Sequence, residues 1–486
     1  IPFIEDTVVP PEKLPAYIED FKVILKKYKL SYSMYGHADV GCIHVRPALN
    51  MLNKKDQLLI RPITNDVIKL VKKYNGIFWG EHSKGFRSEF SKEFFGDECM
   101  KVIKDIKKFC DPKGKLNPGK IVSMDNKYNI TIDSHFRGTV DNQIKKEDQT
   151  KIITTIQCNG NGKCFDKSPE TIMCPSSKIT QDRIHSPKGR AAILREWYRL
   201  QANQKNTTFK KIIEKILPIK TWLIILNLIK FPSKGDDYNH EVYDAMKGCL
   251  QCKACVGQCP VNIEIPQYVS EFFQLYHTRY PRPFRDYLLK YYERALPILA
   301  KFPTISNFLS MTIISRFLFK QIKISSPPKL PVKSLINHLK TNTKLKQIPV
   351  LKKTKNLKKT TKGQKNNIFL ILDPFTTHYE PELWVNCLEI LKKLDQNPII
   401  LKYFPTGKTL QVKGFLNEFK RLINHNYQHL LPLINAKEKI ATIEPSIAYL
   451  FKNEYKKQIK EMSIHIIQEL LLDIIHKKNK TLSHST

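Results

Sequence analysis

The chain has 486 residues, 41% of them hydrophobic and 10% aromatic, which excludes a disordered polypeptide and leaves room for about three domains. Its 81 Lys and Arg against 45 Asp and Glu give a net charge of +36, but only 14 of the 81 are Arg and the Lys are spread along the whole length. A sequence-specific nucleic-acid reader clusters its basic residues and uses Arg on base edges; this charge reads instead as a solvated lysine surface, with no specific nucleic acid and at most peripheral membrane contact.

Taken in chain order, residues 1–122 mix strands and helices. Tyr32 to Tyr35 reads as a strand entering a Gly-containing loop, Cys42 to Arg46 as a second strand, and Thr64 to Asn75 as a helix with Thr64 as N-cap and Gly76 as stop. Residues 123–150 are polar and read as a linker. Residues 151–324 are largely helical, with Ser186-Pro187 opening a helix that runs into Ala191–Tyr198. Here too lies the longest apolar run, Trp222–Ile229, far too short for a membrane span. Residues 325–367, with Ser-Pro-Pro and a dense Lys run ending near Gly363, read as a second linker. Then Ile368–Leu372 is a buried strand ending at Asp373-Pro374, Glu382–Leu394 a helix and Pro398–Lys402 a second strand, the start of a βαβ unit in a small α/β domain over 368–486.

The run Cys249-Leu-Gln-Cys252-Lys-Ala-Cys255-Val-Gly-Gln-Cys259-Pro260 carries the most chemistry. Three thiolates two residues apart can wrap three irons of one cubane, and the fourth Cys with its Pro conventionally ligates the other cluster of a two-cluster module. Zinc also takes Cys-x2-Cys, but in two separated pairs. A degenerate partner lies upstream: Cys158 and Cys164 flank Asn161 where a middle Cys would stand, and Cys174-Pro175 supplies the ending. Crossing the fourth ligands gives Cys249, Cys252, Cys255 and Cys174 as a complete four-thiolate set. Cys158, Cys164 and Cys259 form only a three-thiol set, with Asn161 a poor neutral ligand. One [4Fe–4S] cluster is expected; a second on the degenerate set would be three-iron, unusually ligated or absent, and absence is the favoured reading. With 11 cysteines and no disulfide spacing, the compartment is reducing: cytoplasmic, or peripheral at the inner face of the membrane.

A second constellation lies near the start. Gly36-His37-Ala-Asp39-Val-Gly41-Cys-Ile-His44 puts two imidazoles across a tight loop, and in a strand over 42–46 His44 and Arg46 share one face while Ile43 and Val45 share the other. Gly80-Glu81-His82-Ser83 adds a carboxylate and an imidazole. Two His and one carboxylate form a common zinc set with open positions, and the remaining His82 is the candidate general base, a role that suits imidazole as a residue type. On spacing alone each His is more readily a surface or hydrogen-bonded residue than a ligand.

His37 to His44, Glu81-His82 and Asp111 to Lys120 together resemble the C-terminal domain of FAD-linked 2-hydroxyacid oxidases and dehydrogenases, and Cys158 onward resembles the iron–sulfur half of glycolate-oxidase-type enzymes. Fused in this order they are most similar to the large bacterial D-2-hydroxyglutarate dehydrogenases, with close stretches at His44–Leu49, Asp182–Arg190 and Leu275–Tyr280. The resemblance implies that His37, His44 and Glu81 bind a divalent metal, zinc, that His82 takes the hydroxyl proton of a small 2-hydroxy acid as hydride passes to FAD, that Asn117 contacts the cofactor, and that electrons leave through the cubane to an acceptor the sequence does not identify. Arg46 is the candidate carboxylate clamp, with a strand-end salt bridge as its equal alternative; Arg87 is a weaker candidate for the same role, and for it the structural reading is preferred.

Three departures from the family follow. The FAD-binding domain that precedes this region is expected on a missing part of the chain or on another chain, since the text starts at Ile1 in mid-domain. Ser83 stands where the pattern has Gly. The C-terminal α/β domain resembles the cysteine-rich domain of iron–sulfur subunits but retains only Cys387, so a structural or docking role is expected. The reading is a multidomain α+β protein: a ferredoxin-like α+β substrate domain (1–122), a helical iron–sulfur domain (151–324) and a small α/β domain (368–486). Its competitors are a non-catalytic electron-transfer subunit and a decayed remnant, and self-association into a homo-oligomer stays open.

Overall fold

The computed structural model describes residues 3–120, 122–123, 131–134, 136–203, 238–278, 280–351, 366–459 and 462–483. The apolar run Trp222–Ile229, Arg279 and most of the Lys run (352–365) lie outside the described residues. The chain divides into two units, 1–156 with 195–204, and 157–194 with 205–486.

In the first unit three antiparallel strands, β1 (Thr7–Val8), β2 (Tyr32–His37) and β3 (Cys42–Pro47), pair in the order β1-β3-β2. The alternation expected for residues 42–46 holds: Ile43 and Val45 enter a core with Tyr17, Phe21 and Leu25 of helix α1 (Leu14–Lys27), and His44 and Arg46 share the other face. Helix α2 (Lys54–Lys73) corrects the expected start at Thr64. Asn53 is the cap, accepting from the Lys55 amide at 2.9 Å, and Thr64 lies buried in mid-helix with its hydroxyl on the Ile60 carbonyl at 2.7 Å. The helix runs through Pro62 because Ile60, Ile63, Val67 and Val71 are fully buried along one face. At about 1.5–3 kcal/mol each, they outweigh the roughly 3 kcal/mol an interior proline costs. The left-handed residue at its end is Asn75, with φ 55°. Gly76 is needed for a different reason: a Cβ there would sit 2.3 Å from the Val8 carbonyl oxygen.

Helix α3 (Ser91–Cys110) follows, kinked at Gly96. Arg61 then ties α2 to Glu89 at 2.8 Å and Asp133 at 2.5 Å. Within 123–150, read as connective, short helices form at Arg137–Asp141 and Lys146–Lys151.

The second unit opens with the cysteine loops. Pro187 begins the helix Pro187–Asn203 as the sequence predicts, with the Ser186 hydroxyl accepting the Gly189 amide at 3.0 Å. Further on, five parallel strands, β4 (Val350–Leu351), β5 (Asn367–Leu370), β6 (Asn397–Leu401), β7 (Lys439–Thr442) and β8 (His465–Ile466), stand in the order β4-β6-β5-β7-β8. The βαβ reading is realised through helix Pro381–Lys393, and Asp373 caps the preceding short helix by accepting the Phe375 and Thr376 amides. The span 325–367, read as a linker, carries helix Leu335–Thr341 and edge strand β4. Leu335, Leu339, Leu345 and Ile348 are buried with Ile368 and Trp384, so a Lys-rich composition hides an amphipathic turn.

Buried polar groups join the helical segment to this sheet. Glu293 accepts from the amides of Thr406, Gly407 and Thr409 and from both threonine hydroxyls. Gln251, inside the cysteine run, donates to the Val412 carbonyl at 2.8 Å.

Candidate functional site

The first site is built around a residue the sequence reading missed. Asp6 is fully buried with φ 72°, and its carboxylate accepts the amides of Gly80 at 2.9 Å, Glu81 at 2.9 Å and His82 at 3.0 Å. Burial alone would raise its pKa, but these three amides and the Arg87 charge outweigh burial and hold the carboxyl below the ordinary Asp value. Gly80 is required here, since a Cβ would lie 2.8 Å from Asp6 Oδ1. The loop is thereby wrapped on an anion, and Glu81 and His82 project from it.

Glu81 Oε1 is the convergence point. His44 Nε2 lies 2.9 Å from it, His37 Nε2 3.3 Å and His82 Nε2 3.4 Å. His44 is buried, its ring stacked on His82 with centroids 4.9 Å apart and edge-on to His37 at 5.5 Å. Asp6, His44, Glu81 and His82 each offer a ligand atom within 4.8 Å of the others. Three imidazoles and a carboxylate oxygen at these separations can serve as donors to a divalent metal. Of these groups Asp6 is already engaged by amides and positions the others. The residues present fit a metal.

Arg46 lies on the His44 face, half-exposed, with Nε 2.7 Å from Glu5 Oε2 and its guanidinium over the Tyr35 ring. Glu5, also missed, in turn lies 3.6 Å from His82 Nδ1. Arg87 turns inward: it is buried and bonded to the Glu5, Phe78 and Ser83 carbonyls and to Asp6 Oδ2 at 3.3 Å, so its donors hold the loop base. Ser83 adopts φ 61°, the left-handed conformation in which Gly is favoured. Asn117 is exposed with φ 46°, in a turn where Asp111 accepts the Lys115 and Leu116 amides; it is not among the residues gathered at Glu81.

The cysteines gather as two sets. Cys174, Cys249, Cys252 and Cys255 line one cavity together with Arg190, and Cys158, Cys164 and Cys259 line a second, which Cys255 also borders. Gln251 and Lys253, at φ 52° and 64°, turn the chain left-handed on either side of Cys252, which lets three sulfurs of one short loop face one space. Burial pushes the Cys249 and Cys255 thiols up, the Arg190 charge opposing it at Cys249. Arg190, like Asp6 and Glu5, has no role in the sequence reading. It is fully buried, donating to the Ala245 carbonyl at 2.9 Å, Ser176 Oγ at 3.0 Å and Cys174 Sγ at 3.6 Å. A buried guanidinium beside four thiols suits a site that carries net negative charge when loaded with iron. At the degenerate set the amide of Asn161 is spent on its own turn, donating to Asn159 Oδ1 at 2.6 Å and accepting the Lys163 amide at 2.9 Å. Cys387 is buried and its thiol is pushed up to about 12.

Residues 1–121 match the family of FAD linked oxidases, C-terminal domain, and residues 154–263 match the 4Fe-4S dicluster domain. These matches give the class the chain is similar to: a FAD-linked oxidase C-terminal domain followed by a 4Fe–4S module. Over nearly its whole length it is similar to D-2-hydroxyglutarate dehydrogenases. That of Escherichia coli (strain K12) is 38% identical over 474 residues, covering 95% of this chain and 46% of the relative. That of Haemophilus influenzae (strain ATCC 51907 / DSM 11121 / KW20 / Rd) is 36% identical over 469 residues, covering 95% and 45%. A D-lactate dehydrogenase of Archaeoglobus fulgidus (strain ATCC 49558 / DSM 4304 / JCM 9628 / NBRC 100126 / VC-16) is 30% identical over 117 residues, 24% of this chain and 26% of the relative. The chain spans about half the length of the curated relatives it matches over nearly all of its residues.

Proposed function

We propose that the chain carries the metal and proton-transfer part of a D-2-hydroxyacid dehydrogenase site, together with the iron–sulfur exit for its electrons, D-2-hydroxyglutarate being the substrate. The observation that carries this reading is the convergence of His37, His44 and His82 on one oxygen of Glu81, within 2.9 to 3.4 Å. His37, His44 and Glu81 hold the ion and orient the 2-hydroxy acid. When bound, zinc supplies Lewis acidity to the substrate hydroxyl, FAD the hydride acceptor and the cubane one-electron transfer. His82, half-exposed at the end of the amide-pinned loop, takes the hydroxyl proton, with Glu5 beside its Nδ1 to steady the imidazolium. Arg46 receives the substrate carboxylate on the guanidinium edge that Glu5 leaves open. Asn117 faces the flavin-bearing part of the enzyme. Cys174, Cys249, Cys252 and Cys255 hold one [4Fe–4S] cluster, and Cys158, Cys164 and Cys259 are left without one. On this reading residues 1–122 are the substrate domain and 151–324 the iron–sulfur domain of a cytoplasmic enzyme.

Metal content of the anaerobically purified chain, with EPR after dithionite reduction, tests the proposal. About four irons and one zinc per chain are expected, and His44→Ala should lose the zinc while keeping the iron. Iron without zinc would turn the reading to an electron-transfer subunit, and neither metal in folded protein would leave a remnant.

A further inference from the structure

Helices Pro303–Met311 and Ile313–Gln321 invert the usual amphipathic arrangement. Neither contains a buried residue. Their polar side chains are the half-buried ones: Asn307 donates to the Leu330 carbonyl at 2.7 Å and accepts the Leu330 amide at 2.7 Å, and Ser306, Ser310 and Ser315 bond to nearby backbone carbonyls. Most of the apolar side chains are exposed, Phe308 at 71%, Ile313 at 87% and Ile314 at 73%, with Ile305, Leu309 and Phe317 also exposed and Phe319 half-buried. A helix pair in water gains by burying such a face, so a continuous apolar ridge of this kind marks a binding surface.

Charge identifies what covers it. From Arg294 to Leu372 the sequence holds 15 Lys and 2 Arg and not one Asp or Glu. A second copy presenting the same lysine-rich segment would be repelled, and a nucleic acid would use the lysines but not an aliphatic and aromatic ridge. An anionic bilayer uses both: headgroups for the lysines, the acyl boundary for the ridge. Among the described residues no helix is long and apolar enough to cross a membrane, so the hairpin lies in the interface plane.

We propose that residues 303–321 form an interfacial anchor that docks this protein on an anionic lipid surface. The inference rests on the two helices and the charge of the segment around them, and does not depend on the dehydrogenase reading.

The experiment is co-sedimentation of the full chain with vesicles of phosphatidylcholine alone and of phosphatidylcholine with phosphatidylglycerol, for the wild type and for Phe308→Glu combined with Ile313→Glu. These side chains face solvent, so the far-UV spectrum should not change. Binding is expected on the anionic vesicles, weakened by salt, and about a hundredfold weaker in the double variant. Separately, Phe308→Trp should add emission that brominated acyl chains quench. Equal binding by wild type and double variant, or no quenching at residue 308, would assign the attraction to surface lysines alone and overturn the anchor. So would absence of binding to anionic vesicles. A wild-type dimer in light scattering that the double variant dissociates would assign the ridge to a second copy.

Discussion

The imidazole–carboxylate site and the cysteine cradle differ in what holds them together before any inorganic partner arrives. Around Glu81 the loop is held in advance: the Asp6 carboxylate pins three consecutive amides and Arg87 closes the loop from below, while the buried Nδ1 of His44 has no hydrogen-bond partner among the described residues. Such pinning fixes the orientation of the loop's ligands, so metal binding costs little ordering. In the cradle, by contrast, burial raises the Cys249 and Cys255 thiols, and Arg190 is a cation beside Cys174 and Cys249. The first site is preformed by hydrogen bonds; the second waits for iron to displace its protons and make its charge bearable.

The sharpest way to break the comparison is to remove one thiol. Cys255 borders both cavities, so Cys255→Ala should abolish the four-iron cluster outright, read as loss of iron and of the reduced-cubane EPR signal, with zinc retained. Cys164→Ala should leave the iron count unchanged; a fall by several irons would show a second cluster on the degenerate set.

Next in size is Asp6→Asn. The Asp6–Arg87 pair is buried on both sides, and neutralising one partner leaves an uncompensated guanidinium. A loss of roughly 3–5 kcal/mol in denaturant unfolding is expected, together with weaker zinc binding by about 10–100-fold. Unchanged zinc affinity in the folded variant would show that the amide cradle does not preorganise the site.

How much of this was legible depends on the range over which each residue acts. His37, His44, Glu81 and His82 could be gathered from sequence because glycine-bounded turns and strand alternation bring them together locally, and the cysteines because the ligand spacing is itself the signal. Asp6 could not, since its role lies in contacts with residues 80 to 82, more than seventy positions away, and an acidic pair before a short strand carries no local mark. Arg190 lay inside a recognisable stretch, but nothing in its neighbours says that it is buried against Cys174. The parallel sheet was legible from Ile368–Leu372 and Pro398–Lys402, both apolar runs. Helix Leu335–Thr341 was not, because its two anchoring leucines stand in a span (325–367) dominated by lysine. The start of α2 was missed because Thr64 looks like a cap; its hydroxyl instead bonds one turn back inside the helix.

A smaller effect separates imidazoles that face a carboxylate from one that does not. His44 points at Glu81, whereas His378 packs on Tyr403 with Nε2 buried and unbonded among the described atoms, and burial lowers its pKa to about 4. A neutral buried base with a depressed pKa stabilises the fold above the unfolded value near 6.5. Between that value and about 4 the unfolded chain binds the proton and the native one does not, so stability falls as pH falls through this window. Replacement His378→Phe should flatten the acid limb by on the order of 2–3 kcal/mol in urea unfolding at pH 6.5 against pH 4.5. An acid limb of unchanged steepness would move the titration elsewhere, to His277, whose pKa burial also lowers to about 4.

The least effect expected is at Ser83, and it bears on how finely the first site is built. Its φ of 61° is one that a residue with a Cβ adopts at a cost, and its carbonyl accepts from Arg87 at 2.7 Å, so the conformation is imposed by the loop base. Ser83→Gly removes the Cβ penalty but frees the unfolded chain, two terms of opposite sign whose balance favours glycine at a left-handed position. A gain of about 0.5–1 kcal/mol in unfolding free energy is expected, with zinc affinity unchanged, because the amides that pin Glu81 and His82 do not involve this residue. If the substitution weakened zinc binding instead, stiffness at residue 83 would be part of what holds His82 against Glu81, and preorganisation would extend one residue beyond the Asp6 cradle.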